Sequence, residues 1–208
     1  MRSETQAIKR QIAFDSARFL TSAPNLAACP EDQSYEVAFA GRSNAGKSSC
    51  INALTRNSKL ARTSKTPGRT QLINLFSTST SNFRLVDLPG YGFAKVSASM
   101  RQSWDQNLAQ YLEQRPNLIG LVLLMDIRHP LRPEDQTFVG WCHQSGLPVH
   151  LVLTKADKLK QGPANQALHQ VKTAIKDLEN TSVQLLSAPK GSGLNQLKDR
   201  IQSWYDQQ

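Results

Sequence analysis

Apolar residues fall into two alternating patterns along this chain. Near-continuous runs at 37–40, 118–125 and 149–153 have the length and aliphatic content of strands buried on both faces. Two lesser runs, at 72–76 and 83–86, predict neighbouring strands joined by the polar segment 77–82, and 183–186 predicts a last strand. Between the runs, apolar residues recur every three or four positions. Met100, Trp104, Leu108, Tyr111 and Leu112 mark a helix over 99–115, and Leu194, Leu197, Ile201 and Trp204 mark one over 194–205. Helices are also expected over 48–56, over 133–144 with a proline near its start, and over 165–178. This alternation predicts an α/β fold: a doubly wound, mostly parallel sheet with helices on both faces and one antiparallel pair. Ligands in such sheets sit beyond the C-terminal ends of the strands.

The first 33 residues are less patterned. A short helix over 7–20 and turns at 22–25 and 29–32 are the expectation. Residues 1–33 then form an N-terminal arm packed on a main domain of 34–208.

One stretch carries phosphate chemistry. Gly41, Arg42, Ser43, Asn44, Ala45, Gly46, Lys47 and Ser48 read G-x-x-x-x-G-K-S between a predicted strand and a predicted helix, the context a phosphate-binding loop requires. The glycines let the backbone aim successive N–H groups at one spot, and the helix N-terminus adds positive potential there. Lys47 reaches the β- and γ-phosphates, and the Ser48 hydroxyl ligates Mg²⁺.

Three further strand ends carry matching groups. Asp87, Leu88, Pro89 and Gly90 follow the run 83–86. Asp87 can hold Mg²⁺ through water, and the Gly90 N–H can approach a γ-phosphate. Thr154, Lys155, Ala156 and Asp157 follow the run 149–153. A carboxylate at Asp157 accepts two hydrogen bonds from guanine's N1–H and exocyclic amine. Adenine offers neither, and a buried acceptor left unpaired is costly, so the site favours guanine. The Lys155 stem can lie along the base. Ser187 and Ala188 follow the last strand, where a backbone N–H can meet the guanine O6.

Composition adds a partner. The chain has 208 residues, 39% of them hydrophobic, which is enough for a core. Its net charge is +9 and its pI about 9.7, which points to a polyanion. From Val37 to Val86 there is no Asp or Glu, yet the span holds Arg42, Lys47, Arg56, Lys59, Arg62, Lys65, Arg69 and Arg84. That excess surpasses what nucleotide binding needs, so an RNA-facing surface is expected. No apolar run approaches the length of a membrane span, and no hydrophobic signal core follows Met1. A cytoplasmic, membrane-independent, monomeric protein is expected, with Cys29, Cys50 and Cys142 as reduced thiols. The four histidines have no metal-ligand spacing, and Trp104, Trp141 and Trp204 fall at core positions of helical patterns.

The order of these motifs resembles a GTPase domain of the Ras-like superfamily. Gly41 to Ser49, then Ser64-Lys65-Thr66-Pro67-Gly68-Arg69-Thr70-Gln71, then Asp87-Leu88-Pro89-Gly90-Tyr91-Gly92, are similar to the EngB family of bacterial ribosome-biogenesis GTP-binding proteins, within the TrmE-Era-EngA-EngB-Septin-like P-loop GTPases. The resemblance runs from about Phe19 to the end. It implies a GTP-hydrolysing switch that binds GTP, GDP and Mg²⁺ and assists assembly of the large ribosomal subunit on its rRNA, with effects on cell division and septation. It also implies that Gly68, Arg69, Thr70 and Gln71 line the nucleotide, with Thr70 as the switch threonine that ligates Mg²⁺. Lys47, Thr70 and Asn44 are the catalytic candidates.

Two departures from Ras-type sequences matter. Thr154 stands where Asn is commoner, a feature shared by the EngB-like family. Tyr91 stands where Ras-type proteins carry the glutamine that orients water, so intrinsic hydrolysis should be slow. Asn44 offers two readings. In related GTPases an Asn here helps hold K⁺ beside the phosphates; otherwise it simply tolerates a left-handed turn. Two other classes compete with the ribosome reading. A signalling GTPase acting on a protein partner would want a lipidation signal, and 205–208 has none. A P-loop ATPase or kinase would not need Asp157 and the Ser187-Ala188 pair.

Overall fold

The computed structural model describes residues 11–61, 72–91 and 98–208, and within 98–105 the backbone alone. Seven strands form one sheet in the order β1-β3-β4-β2-β5-β6-β7. The strands are β1 (Arg18–Ala23), β2 (Tyr35–Gly41), β3 (Ile73–Ser77), β4 (Phe83–Asp87), β5 (Leu118–Asp126), β6 (Val149–Thr154) and β7 (Thr181–Leu185). The helices are α1 (Lys47–Leu54), α2 (Ala98–Gln114), α3 (Pro133–Gln144), α4 (Gln161–Ala174) and α5 (Leu194–Tyr205). β4, β2, β5, β6 and β7 run parallel, with registers such as Phe39 beside Asp87 and Asp126 beside Thr154. These registers bring the ends of β2, β4, β5 and β6 to one rim.

The expected fold class holds, with two antiparallel pairs rather than one, since β3 pairs with both β4 and β1. β1 replaces the helix expected through residue 20. Its alternation is hidden because Phe19 and Leu20 are both exposed and the register shifts between Phe19 and Thr21. α4 starts at Gln161, before the expected 165, because Pro163 in the first turn has no intrahelical bond to lose.

Apolar residues pack on both sheet faces. Leu108 and Tyr111 of α2, Val139 and Cys142 of α3, and Ala167 and Val171 of α4 cover one face. Cys50, Ile51 and Leu54 of α1, and Leu197, Ile201 and Trp204 of α5, cover the other. Gly120 of β5 makes room for Trp204, because a Cβ there would lie 2.4 Å from the indole. Trp141 is only partly buried, and the Trp104 side chain lies outside the described residues. All three cysteines are free and buried, and burial pushes the Cys50 and Cys142 thiols up to about 12.

At the opposite rim, the fully buried Glu36 accepts from Tyr111 at 2.6 Å and from Arg115 Nε and Nη2 at 2.9 and 2.6 Å. A buried carboxylate survives only with such partners. The network ties the end of α2 to the base of β2, far from the motif-bearing rim.

Candidate functional site

β2 ends at Gly41 against the sheet, where a Cβ would meet the Leu124 carbonyl oxygen at 2.8 Å, so only glycine fits. The loop then turns through Asn44 (φ 65°) and Gly46 (φ 90°), both left-handed, before α1 starts at Lys47. A loop built this way curls its amides around one point at a helix N-terminus. Ser48 is the second residue of α1.

Lys47 Nζ donates to Asp87 Oδ1 at the end of β4, so the loop lysine and the second acid share one place. Both groups are largely shielded from water, with side chains 13% and 5% exposed. Beyond Asp87, the Leu88 N–H donates to Phe39 at 3.0 Å and the Tyr91 N–H to Gly41 at 3.3 Å. These bonds seat Leu88, Pro89 and Gly90 beside the phosphate loop.

Tyr91 faces away from that loop. Its hydroxyl donates to Asp135 Oδ1 at 2.7 Å, and its ring stacks on Phe138 at 5.0 Å and 7°. Burial raises the Asp135 carboxyl's pKa, against the opposing pull of the Tyr91 hydrogen bond.

The β6 end joins the loop from the other side. The Thr154 hydroxyl lies 2.6 Å from the Ala45 carbonyl oxygen and 3.0 Å from that of Met125, linking loop and sheet. Lys155 is left-handed (φ 58°), and its Nζ donates to the Asn44 carbonyl oxygen at 2.8 Å and to Asp126 Oδ2 at 2.9 Å. The Lys155 stem therefore spans from the β6 end to the phosphate loop, as a strap beneath a bound base would. The Ala156 N–H donates to Leu186 at 3.1 Å, joining the β6 and β7 ends.

Asp157 accepts from the Ser187 hydroxyl at 2.7 Å. That bond leads the influences that lower the Asp157 pKa, so at neutral pH it is an ionised acceptor. The Ser187 N–H is engaged by the Ser192 carbonyl at 3.0 Å, whereas the Ala188 N–H donates to none of the described residues. Of the two amides expected to meet a base carbonyl, Ala188's is the one left to do so.

The structure thus brings Gly41 to Ser48, Asp87 to Gly90, Thr154 to Asp157 and Ser187-Ala188 to one rim. Gly68, Arg69, Thr70 and Gln71 lie outside the described residues. Asn44 shows the left-handed turn that one of its two readings requires. Asp126 was missed by sequence reasoning. Its only signal was an acid closing the apolar run 118–125, and its contact with Lys155 spans 29 positions. No group of three or more His, Cys, Asp or Glu among the described residues could hold a metal on its own.

Known proteins give this chain a family. Residues 36–155 match the family described as 50S ribosome-binding GTPase. A probable GTP-binding protein EngB from Idiomarina loihiensis is 50% identical over 200 residues, 96% of this chain and 97% of the relative. One from Aeromonas salmonicida is 51% identical over 193 residues, 92% of this chain and 88% of the relative. A crystal structure of a probable GTP-binding protein EngB superposes with a TM-score of 0.68 at 24% identity, over 83% of this chain and 100% of that one. Era in complex with MgGDPNP and a stretch of 16S ribosomal RNA gives 0.64 at 24% identity, over 83% of this chain and 57% of that one. At such identities the two structures speak for the fold.

Proposed function

This chain belongs to the EngB GTP-binding proteins of the 50S ribosome-binding GTPase family, and from that premise we propose that it is a GTP-driven switch assisting assembly of the large ribosomal subunit. It is a GTPase. The ribosomal role rests on one observation above others. The span Val37 to Val86 holds eight Lys and Arg and no Asp or Glu, and it surrounds the nucleotide loop. Arg84 is buried against Asp32 and Glu36, and Lys47 faces Asp87, whereas Arg56 and Lys59 are exposed; an acid-free excess of cations of this kind favours a polyphosphate backbone. The protein acts as a monomer in the cytoplasm, with residues 1–33 as an arm of the domain 34–208. Among the described residues, no helix is long and apolar enough to cross a membrane.

GTP displaces Asp87 as the partner of Lys47. The Lys47 ammonium then rests on the β- and γ-phosphates, while the loop amides from Ser43 to Ser48 receive the phosphate oxygens. Asp87 and Ser48 offer the carboxylate and hydroxyl oxygens that suit Mg²⁺, with Thr70 as a further ligand and Asp87 acting through water. Mg²⁺ held by these residues would supply positive charge to the phosphates. The Gly90 N–H meets the γ-phosphate, so its loss on hydrolysis releases the segment after Asp87. Asp157, held ionised by Ser187, reads the guanine edge, and the Ala188 N–H takes its O6.

Tyr91 does not orient the attacking water, because its hydroxyl is committed to Asp135. Hydrolysis is therefore slow unless another charge helps. K⁺ held by Asn44 is one such charge. Hydrolysis should then run faster in KCl than in NaCl at matched ionic strength, and Asn44→Ala should erase the difference; equal rates in wild type leave Asn44 as a turn residue.

The test of the ribosomal role is a sucrose gradient with 50S precursors. It is run with a non-hydrolysable GTP analogue, with GDP and without nucleotide, at two salt concentrations. Co-migration should be strongest with the analogue at low salt, with a log–log salt slope of roughly −2 to −4. Neutralising Arg62, Lys65 and Arg69 together should weaken it. A protein that stays at the top of the gradient in every state retains only the GTPase assignment.

A further inference from the structure

A second cleft, of about 220 Å³, opens on the α3 side of the phosphate loop. Arg42 and Asn44 form one wall; Asp126, Arg128 and Arg132, from the end of β5 and the loop to α3, form the other. Lys155 closes it toward the nucleotide, its Nζ bonded to both Asn44 and Asp126. Four cations line the cleft, Arg42, Arg128, Arg132 and Lys155, with two carboxylates, Asp126 and Asp135.

Asp126 has no capacity left for a further cation, and each oxygen of Asp135 already has a donor. Asp126 accepts from Arg128 Nε at 2.9 Å, Arg128 Nη2 at 2.6 Å, the Arg128 N–H at 3.1 Å and Lys155 at 2.9 Å. Asp135 accepts from the Tyr91 hydroxyl on one oxygen and from the Arg132 N–H at 3.0 Å on the other. The cations are less committed. Among the described residues, Arg42 has only a 3.7 Å contact with the half-exposed Glu134 at the rim. The exposed Arg132 guanidinium meets no acceptor among the described residues. Two guanidiniums with free donors thus line one concave surface whose acids are already satisfied, which is a site for an anion with several oxygens.

The loop carrying Arg132 is stiff. Pro130 and Pro133 bracket it, and Leu131 between them is left-handed (φ 50°), a costly conformation for a branched side chain, held by packing of that side chain against the core. Gln136 Nε2 also donates to the Leu131 carbonyl oxygen at 2.8 Å. A loop so constrained adds little backbone ordering cost when its guanidinium binds.

We propose that this cleft between the phosphate loop and the β5–α3 loop is a second anion site, which takes a phosphodiester of RNA on Arg42 and Arg132. RNA is favoured over an acidic protein segment because the net charge of +9 and the acid-free span Val37 to Val86 already suit a phosphate backbone. This rests on the ribosomal reading above and adds the cleft to the RNA contacts that reading requires.

The experiment uses the full-length protein loaded with a non-hydrolysable GTP analogue and two probes: a labelled 20-nucleotide poly(U), followed by anisotropy across a salt series, and 50S subunits in a gradient. Arg132→Glu should weaken poly(U) binding at least five-fold, and Arg132→Gln should make the log–log salt slope shallower by about 1. Lys172→Glu, the same charge change on the exposed side of α4, should stay within two-fold of wild type. Thermal unfolding of each variant checks the fold. Equal loss in Arg132→Glu and Lys172→Glu, or no loss in either, overturns the site. If wild type and Arg132→Glu sediment equally with 50S subunits, this inference fails and the ribosomal function stands. If 50S binding depends on Arg132 but poly(U) does not bind, the cleft takes a protein and the RNA assignment fails. If wild type binds neither probe, both readings fail.

Discussion

The ammonium of Lys155 donates to the carboxylate of Asp126 at 2.9 Å, so the residue proposed to lie along the base is positioned from the end of the neighbouring strand. The same carboxylate is gripped by the Arg128 guanidinium, and that grip leads the causes holding the Asp126 carboxyl far below the usual carboxylate range. Asp126 thus carries full negative charge at every physiological pH and holds Lys155 in place.

Asp126→Asn should therefore loosen the Lys155 strap. The pair is partly exposed, so the loss is about 1 kcal/mol, or roughly a five-fold faster GDP release. Stopped-flow dissociation of a fluorescent GDP reads it directly. Combined with Lys155→Ala, the second change should add little, and full additivity would separate the two residues.

Lys47→Ala removes the charge that the phosphates would take over from Asp87. A charge-assisted contact of this kind is worth about 1.5–3 kcal/mol, so GTP affinity should fall roughly ten- to hundred-fold. Isothermal titration in the presence of Mg²⁺ settles it, and wild-type affinity would remove Lys47 from the phosphates.

Asp157→Asn exchanges one acceptor oxygen for a donor. Xanthine carries a carbonyl where guanine carries its amine, so preference should move from GTP toward XTP. Ser187 keeps an oxygen to donate to, which protects the local fold. Competition of the two nucleotides for the variant measures the shift; an unchanged ratio places Asp157 outside the base pocket.

His150 makes stability pH-dependent. It is 2% exposed on β6, 2.8 Å from the Ser182 hydroxyl and 2.9 Å from Gln184 Oε1. Burial is the main cause that lowers its pKa from 6.5 to about 4. Between those values the unfolded chain takes up a proton that the folded chain refuses, so stability falls as pH drops through 6.5 toward 4. By pH 5 this costs roughly 2 kcal/mol relative to pH 7. Urea midpoints at the two pH values should differ less for His150→Gln than for wild type; equal differences would assign the acid sensitivity elsewhere.

Much of the site was legible because its parts are short and local. Gly41 to Ser48 needs only its own residues to curl its amides, and Asp87 and Thr154-Lys155-Ala156-Asp157 each close an apolar run that reads as a buried strand. The doubly wound sheet follows from the same alternation. The segment 68–71 was read from resemblance and lies outside the described residues. What tertiary structure alone decided are pairings between distant residues. The Tyr91 hydroxyl turning to Asp135, 44 positions on, is one, and Lys155 reaching both Asn44 and Asp126 is another. β1 was hidden too, because its shifted register against β3 erases the period of two on which a strand is recognised. Periodicity reports which face of an element is buried. It carries no information on which partner does the burying, and a carboxylate's role is set by the cation that packing places beside it.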